Sequence, residues 1–253
     1  MPSVLIHQND AVVNVRLNRP DVKNAFNDEL IVELISTFKK LESDPTVRVV
    51  ILSGEGTTFC AGADLKWMKS FAGASKEDNE KDARKLAEML TYLNEFPKPI
   101  IGQVHGAAIG GGVGLVAICD VVIAAEGTVF ALAEVKLGLI PAVISPFVIS
   151  KMSVAAVRRY FLTGERFDTK EALRWGLLSE AVPMDQLEGR VTAVAKDLLS
   201  SGPQAIRECK ELIRNIGSGS EYTVKKIATL RTSPEGQEGM KAFLEKRKPN
   251  WVT

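Results

Sequence analysis

The amino-acid sequence predicts an α/β fold with a mainly parallel sheet and a C-terminal helical region. Three observations carry this. Strand-like and helix-like segments alternate through the N-terminal part of the chain, the succession that builds parallel sheets through crossover helices. Val47 to Leu52 and Ile100 to Val104 are almost wholly apolar, as strands buried on both faces are. From Pro146 onward the spacing is helical throughout.

In chain order, Val4 to His7 and Ala11 to Leu17 read as a hairpin split by Gln8-Asn9-Asp10, a turn-forming cluster. Asn18-Arg19-Pro20 ends the second strand. Asn27 can cap a helix from about Asp28 to Glu42, where Leu30, Ile31, Leu34, Ile35 and Phe38 recur at helical spacing. Ser53-Gly54-Glu55-Gly56 breaks the strand that begins at Val47. Phe59-Cys60-Ala61-Gly62-Ala63-Asp64-Leu65 is then a small-residue loop leading into a short helix, for which Asp64 is the expected cap. A mobile segment is expected over Ala72 to Lys76, and a long helix from about Glu77 to Asn94, stopped by Pro97 and Pro99. Ile100 to Val104 is the next buried strand. A glycine stretch opens a helix to about Ile118, and Val121 to Ala125 and Thr128 to Ala131 are strands. Helices are expected at about 151–162, 169–175 (capped by Asp168), 186–200, 203–216, 220–231 and 233–246. The division is an α/β core over 1–185 and a helical region over 186–253.

The length, 253 residues, suits one globular domain with a small appendage. A net charge of +1 favours neither nucleic acid nor an anionic membrane. Cys60, Cys119 and Cys209 are odd in number and widely spaced, which fits reduced, buried thiols in a cytoplasmic protein better than a disulfide frame. No apolar stretch is long enough to span a bilayer. Met1-Pro2-Ser3 runs straight into a strand with no secretory signal pattern. His7 and His105, without CxxC or HExxH, leave little for a zinc site.

The stretch Ile109-Gly110-Gly111-Gly112-Val113-Gly114-Leu115 is the most informative. Each glycine inside an element costs roughly 0.5–1 kcal/mol relative to alanine, so the repetition points to a need for bare backbone. Together with Ala61-Gly62-Ala63-Asp64 it forms two loops after buried strands, where parallel sheets place ligands. Converging N–H groups there make an oxyanion hole. Close packing of backbone on backbone explains the same glycines, and spacing alone weighs the two readings equally. The order G-G-G-x-G is not the dinucleotide pattern G-x-G-x-x-G. Glu134 in Leu132-Ala133-Glu134-Val135 is the best general base: among Phe130, Leu132, Val135, Leu137 and Leu139 its pKa would be raised. The plainer role is a cap or an ion pair, with Lys136 as partner. Cys60 reads as a small buried residue. A thiolate nucleophile would want a nearby histidine; His105 is the candidate, and itself reads as structural.

These residues match a known family. Leu17-Asn18-Arg19-Pro20 with Asn24-Ala25-Phe26, the loop Phe59 to Leu65, Gly110-Gly111-Gly112, and Phe243 followed by Glu245-Lys246-Arg247-Lys248-Pro249 together resemble the enoyl-CoA hydratase/isomerase (crotonase) superfamily over nearly the whole chain. The resemblance implies a crotonase-like spiral of ββα units. It implies a coenzyme A thioester substrate with no separate cofactor, and homotrimers, often paired into hexamers, built through the C-terminal helices. It implies Ala63 and Gly111 as the oxyanion donors and Glu134 as the acid–base carboxylate. The thioester path would be lined by Ala25, Ala61, Ala63, Leu65, Gly110 and Gly111. Lys23 would lie near the nucleotide phosphates, and Phe243 and Lys246 would reach a neighbouring subunit's ligand. Without the resemblance, Lys23 and Lys246 read as solvated charges.

Two departures bear on activity. Typical hydratases of the family carry two glutamates; the first would stand at 114, which is Gly114 here. Pro141-Ala142-Val143-Ile144-Ser145-Pro146-Phe147 replaces a glycine-rich turn, which should reshape the acyl pocket beside Glu134. The segment Glu134 to Pro146, with Arg158 to Gly164, is most similar to the methylglutaconyl-CoA hydratase branch, and Ser145 is the candidate for contact with that substrate's distal carboxylate. Hydration of a 2-enoyl-CoA thioester is therefore the leading expectation. The alternatives are a Δ3,Δ2-enoyl-CoA isomerase with one glutamate base, or a non-catalytic scaffold or RNA-binding relative. Near-neutral charge without aromatic–basic interleaving speaks against nucleic acid.

Overall fold

A computed structural model describes residues 2–252. The first elements are the strands β1 (Val4–Asn9) and β2 (Val12–Leu17), helix α1 (Asp28–Ser43) and strand β3 (Val49–Gly54). Helices α2 (Leu65–Ser70) and α3 (Lys76–Glu95) follow, then β4 (Ile100–Val104), β5 (Ala107–Ile109), α4 (Gly111–Ile118), β6 (Val121–Ala125) and β7 (Val129–Ala131). Next come α5 (Ser145–Lys151), α6 (Val154–Thr163), β8 (Arg166–Phe167), α7 (Thr169–Arg174) and β9 (Glu180–Val182). Helices α8 (Leu187–Ser200), α9 (Pro203–Arg214), α10 (Gly219–Thr232) and α11 (Pro234–Leu244) end the chain.

The main sheet has the order β1-β2-β3-β4-β6-β9, following the chain, and only β1–β2 is antiparallel. A second sheet joins β5, β7 and β8. It is extended by the bridges Cys60–Ala108 and Phe26–Ala63. β2, β3, β4 and β6 each pass the chain to the second ladder before a helix carries it back. Repeated crossings in one direction make a spiral of ββα turns.

Side-chain alternation sorts the core. Val50 and Leu52 of β3 join the large core with Leu34, Phe38 and Leu90, whereas Val49 and Ile51 join a smaller one with Ile101, Ile123, Leu187 and Val191. Period-two alternation requires this of a strand covered on both faces, and α8 is the cover on the second face. Local caps start the helices as expected. Asn27 accepts from the Leu30 N–H at 3.0 Å, Asp64 from Lys66 at 2.8 Å and Asp168 from Glu171 at 2.9 Å.

The last helices are tied back by polar contacts. Lys210 on α9 reaches Asp120 at 2.6 Å and the Lys98 carbonyl at 3.1 Å. Arg48 donates to the carbonyls of Trp251 (2.9 Å) and Ser201 (2.5 Å).

Some local expectations change. The helix expected over 151–162 begins only at Val154, because the chain turns extended at Met152 and Ser153 caps α6, and α5 before it is an additional helix that the sequence reading lacks. β1 runs on through Gln8 and Asn9, and the turn falls at Asp10, whose φ is +50°. Strands β5, β8 and β9 were not expected; each has three residues or fewer and exists only by pairing with a distant partner.

Candidate active site

The two small-residue loops interlock. The Cys60 N–H donates to the Ala107 carbonyl at 3.1 Å, and the Ile109 N–H to the Cys60 carbonyl at 3.0 Å. Gly62 has φ +88°, and a β-carbon there would lie 2.8 Å from the Ile109 oxygen and 3.7 Å from the Gly111 nitrogen. A β-carbon at Gly112 would run into the Cys60 carbonyl. The glycines therefore do serve close backbone packing, and that packing brings the segment before Ala63 against the start of α4.

Two N–H groups are left over. Phe26 brackets Ala63: its N–H donates to the Gly62 carbonyl at 2.6 Å and its carbonyl accepts the Asp64 N–H at 2.8 Å. The Ala63 N–H itself has no hydrogen-bond acceptor among the described residues. Nor does the N–H of Gly111, the first residue of α4, where the free N–H groups and positive dipole end of a helix favour an anion. Gly110 before it has φ +52° and ψ −118°, and its N–H is tied to the Ala131 carbonyl at 2.8 Å.

Glu134 opens a 3-10 turn, Glu134–Leu137, directly after β7. Its carboxyl lies over Gly110, where a β-carbon would sit 3.0 Å from Oε1. Its Oε2 is buried without a hydrogen-bond partner. Burial pushes its pKa upward, as a carboxyl taken out of water without a countercharge requires. Lys136 is exposed and forms no ion pair with it. The apolar surroundings are narrower than the sequence suggests: Phe130 and Leu132 are buried, but Leu137 and Leu139 face outward. One turn along α4 from Gly110, Gly114 is covered by Ile144, with Leu90 behind. The neighbour of Glu134 along this helix face is thus apolar.

The other candidate residues divide. Lys23 is exposed with φ +54°, and its carbonyl accepts the Ala61 N–H at 2.9 Å, so Lys23, buried Ala25 and half-buried Ala61 stand beside the Ala63 loop. Leu65, the first residue of α2, is 81% exposed. Phe243 and Lys246 are exposed at the far end of α11, which packs on α9 and α10; the chain does not bring them to the other candidates. Ser145 is occupied locally, donating to the Ala142 carbonyl at 2.8 Å. His105 bonds the Gly56 carbonyl at 2.9 Å, and burial pushes the Cys60 thiol up to about 12, which removes a cysteine nucleophile.

Sequence reasoning missed the partner of Asp64. Arg19 reaches it at 2.8 Å from across the loop, and only the expectation that Asp64 caps α2 hinted that this carboxylate is held inward. A cavity of about 420 Å³ beside α9 carries Arg48, Lys98 and Glu235. These groups already hold the carbonyls of Ser201 and Asp44 and the N–H groups of Gln204 and Ala205, so the cavity is not the reacting site. Among the described residues no cluster of His, Cys, Asp and Glu is arranged for a metal ion, and no helix is long and apolar enough to cross a membrane.

Two unpaired N–H groups thus stand beside a half-buried carboxyl, on a spiral of ββα turns that known proteins share with this chain. The model of the enoyl-CoA hydratase/isomerase family matches residues 7–253, and the chain belongs to that family. It is 33% identical over 258 aligned positions to a Mycobacterium bovis protein named "Probable enoyl-CoA hydratase echA8", covering 99% of this chain and 98% of that one. The crystal structure of an enoyl-CoA hydratase from Shewanella pealeana superposes with a TM-score of 0.95 at 40% identity, over 98% of this chain and 96% of that chain. Pseudomonas aeruginosa AtuE gives 0.95 at 34% identity, over 99% and 100%. The crotonase-like fold implied by the sequence motifs is the fold observed.

Proposed function

We propose that the protein hydrates a 2-enoyl-CoA thioester. The observation that carries this reading is the position of the Glu134 carboxyl over Gly110, next to Gly111 with its free N–H, against which Gly62 packs the loop that bears the free Ala63 N–H. In the proposed reaction the thioester oxygen accepts from Ala63 and Gly111, and the two donors stabilise the negative charge that grows there as the enolate forms. Glu134 takes a proton from water as its oxygen attacks the β-carbon, then delivers a proton to the α-carbon. A raised pKa suits both halves of that exchange near neutrality. No group beyond the substrate's own coenzyme A is required.

The finer assignments are part of the same proposal. The Glu134 to Pro146 segment favours a substrate like 3-methylglutaconyl-CoA. Lys23, Ala25, Ala61 and Leu65 are assigned to the coenzyme A path. The exposed apolar residues Phe243 and Leu244 on α11 support a trimer or hexamer in which the helical region after residue 186 is the joining part, with Phe243 and Lys246 serving a neighbour's ligand. A cytoplasmic location fits the two buried free thiols.

A second reading, double-bond isomerisation, is favoured by one observation. Ile144 leaves no place for a carboxylate beside Gly114, and moving a double bond needs a single base. Turnover in heavy-oxygen water separates the two. Label in the product of a 2-enoyl thioester supports hydration, while conversion of a 3-enoyl thioester without label supports isomerisation. Glu134→Gln should abolish either while leaving thioester binding nearly intact; retained turnover would remove Glu134 from its role.

A further inference from the structure

Ala63 has no side chain that can fix its own backbone, and it is exposed. Its direction is set from behind. Asp64 is only 6% exposed. One carboxylate oxygen accepts the Lys66 N–H at 2.8 Å and the Trp67 N–H at 3.5 Å, which caps α2. The other accepts Arg19 Nη2 at 2.8 Å. Burial works to raise this carboxyl, but Arg19 and the two backbone N–H groups outweigh it and hold it below the usual carboxylate range.

Arg19 is anchored in turn. Its Nη1 donates to the Ala25 carbonyl, next to Phe26, which brackets Ala63. Its backbone N–H donates to Asn24 Oδ1 at 2.8 Å. Asn24 is fully buried with φ +55° and donates to the carbonyls of Glu55 (2.8 Å) and Thr58 (2.7 Å). A polar chain therefore runs from the loop after β3 through Asn24 and Arg19 to Asp64, which follows Ala63, and to the Ala25 carbonyl, one residue before the Phe26 that bonds Gly62. Apolar packing would bury this loop as well, but it is non-directional. The planar fork of a guanidinium fixes an angle.

Resting on the oxyanion-hole reading above, we infer that Arg19 and Asp64 are positioning residues, whose ion pair aims the Ala63 N–H at the thioester oxygen. They act through Ala63 and not on the substrate itself. Mis-aiming one donor weakens transition-state stabilisation more than ground-state binding.

The test uses Glu134→Gln protein, which holds an enoyl thioester without turning it over, and cinnamoyl-CoA as probe. The absorbance of this conjugated thioester moves to longer wavelength as its carbonyl oxygen draws electron density. Glu134→Gln alone should show the shift; its absence would overturn the oxyanion-hole reading itself. Adding Arg19→Met or Asp64→Asn should cut the shift at saturating probe, and Arg19→Lys should restore part of it. In the Glu134 background, the same changes should lower kcat about 10- to 100-fold with KM within about threefold. An undiminished shift in folded Arg19→Met or Asp64→Asn protein, or a loss confined to KM, would overturn the inference. If either of these variants fails to fold, the other and Arg19→Lys supply the comparison, since they break the link from opposite ends or only loosen it.

Discussion

Ile144 fills the space beside Gly114. A β-carbon at position 114 would lie 2.5 Å from Ile144 Cγ2 and 3.1 Å from its Cβ. By resemblance this is where typical hydratases of the family carry a glutamate; in this chain an apolar side chain from another segment fills the space. Gly114→Glu should therefore not add a second acid–base group. It should destabilise the protein by at least about 1–3 kcal/mol from overpacking alone. Adding Ile144→Ala should recover part of that loss. Denaturant unfolding of the single and double variants checks the coupling; strictly additive losses would show that the two residues do not compete for one space.

Glu134 gives a pH prediction. Its pKa is raised by burial, and the base must be ionised to act. The acidic limb of kcat/KM should therefore fall above the ordinary glutamate value of about 4.3. The stability sign follows from the same shift. A carboxyl whose folded pKa is raised costs stability at neutral pH, where it must ionise while buried, and the cost fades as pH falls through the folded value. Glu134→Gln should thus be more stable than the parent at pH 7 and equal to it well below pH 4. Parallel urea titrations at the two pH values measure this, and a gain that persists in acid would contradict the burial argument.

The interlocked glycines predict sensitivity to a single methyl group. Gly112→Ala would drive a β-carbon into the Cys60 carbonyl, where neither backbone can yield without parting the loops. A loss of about 1–3 kcal/mol and a fall in kcat should come together. Gly127→Ala, with nothing within 4 Å of the added carbon but φ +82°, should cost only local strain and leave kcat alone. A Gly112→Ala protein with full activity would mean that the loops can separate without moving the donors.

Thiol chemistry offers an independent check. Cys60 and Cys119 are pushed up to about 12 by burial, while Cys209 is exposed. In native protein one thiol should react quickly with an aromatic disulfide reagent and two should wait for unfolding. Modification of the fast thiol should leave turnover unchanged. Fast labelling at Cys60 would show that the first loop opens.

Much of this was legible in sequence because it is local. Asn27, Asp64 and Asp168 cap the helices they precede, and the apolar run from Val49 to Leu52 marks a buried strand. The glycine stretch and Glu134 stood out for their composition and setting. What was hidden depends on partners far along the chain. β9 is a strand because Glu180 to Val182 meet β6. Arg19 matters because folding carries it to Asp64. Ile144 is opposite Gly114 only after α4 and α5 have packed. The surroundings of Glu134 were misjudged for the same reason: adjacency in sequence placed Leu137 and Leu139 around it, but a tight turn points them outward.

The bridge between Cys60 and Ala108 joins segments that lie on either side of α2 and α3. The two donors therefore cannot meet until that long-range pairing has formed, and closing such a loop is an entropically slow event. A chain with its helices made but this bridge absent has no thioester site. Substrate analogues should accordingly recognise only the completed fold and raise its unfolding temperature by mass action. Loss of turnover on heating should then coincide with global unfolding, with no earlier, separate inactivation.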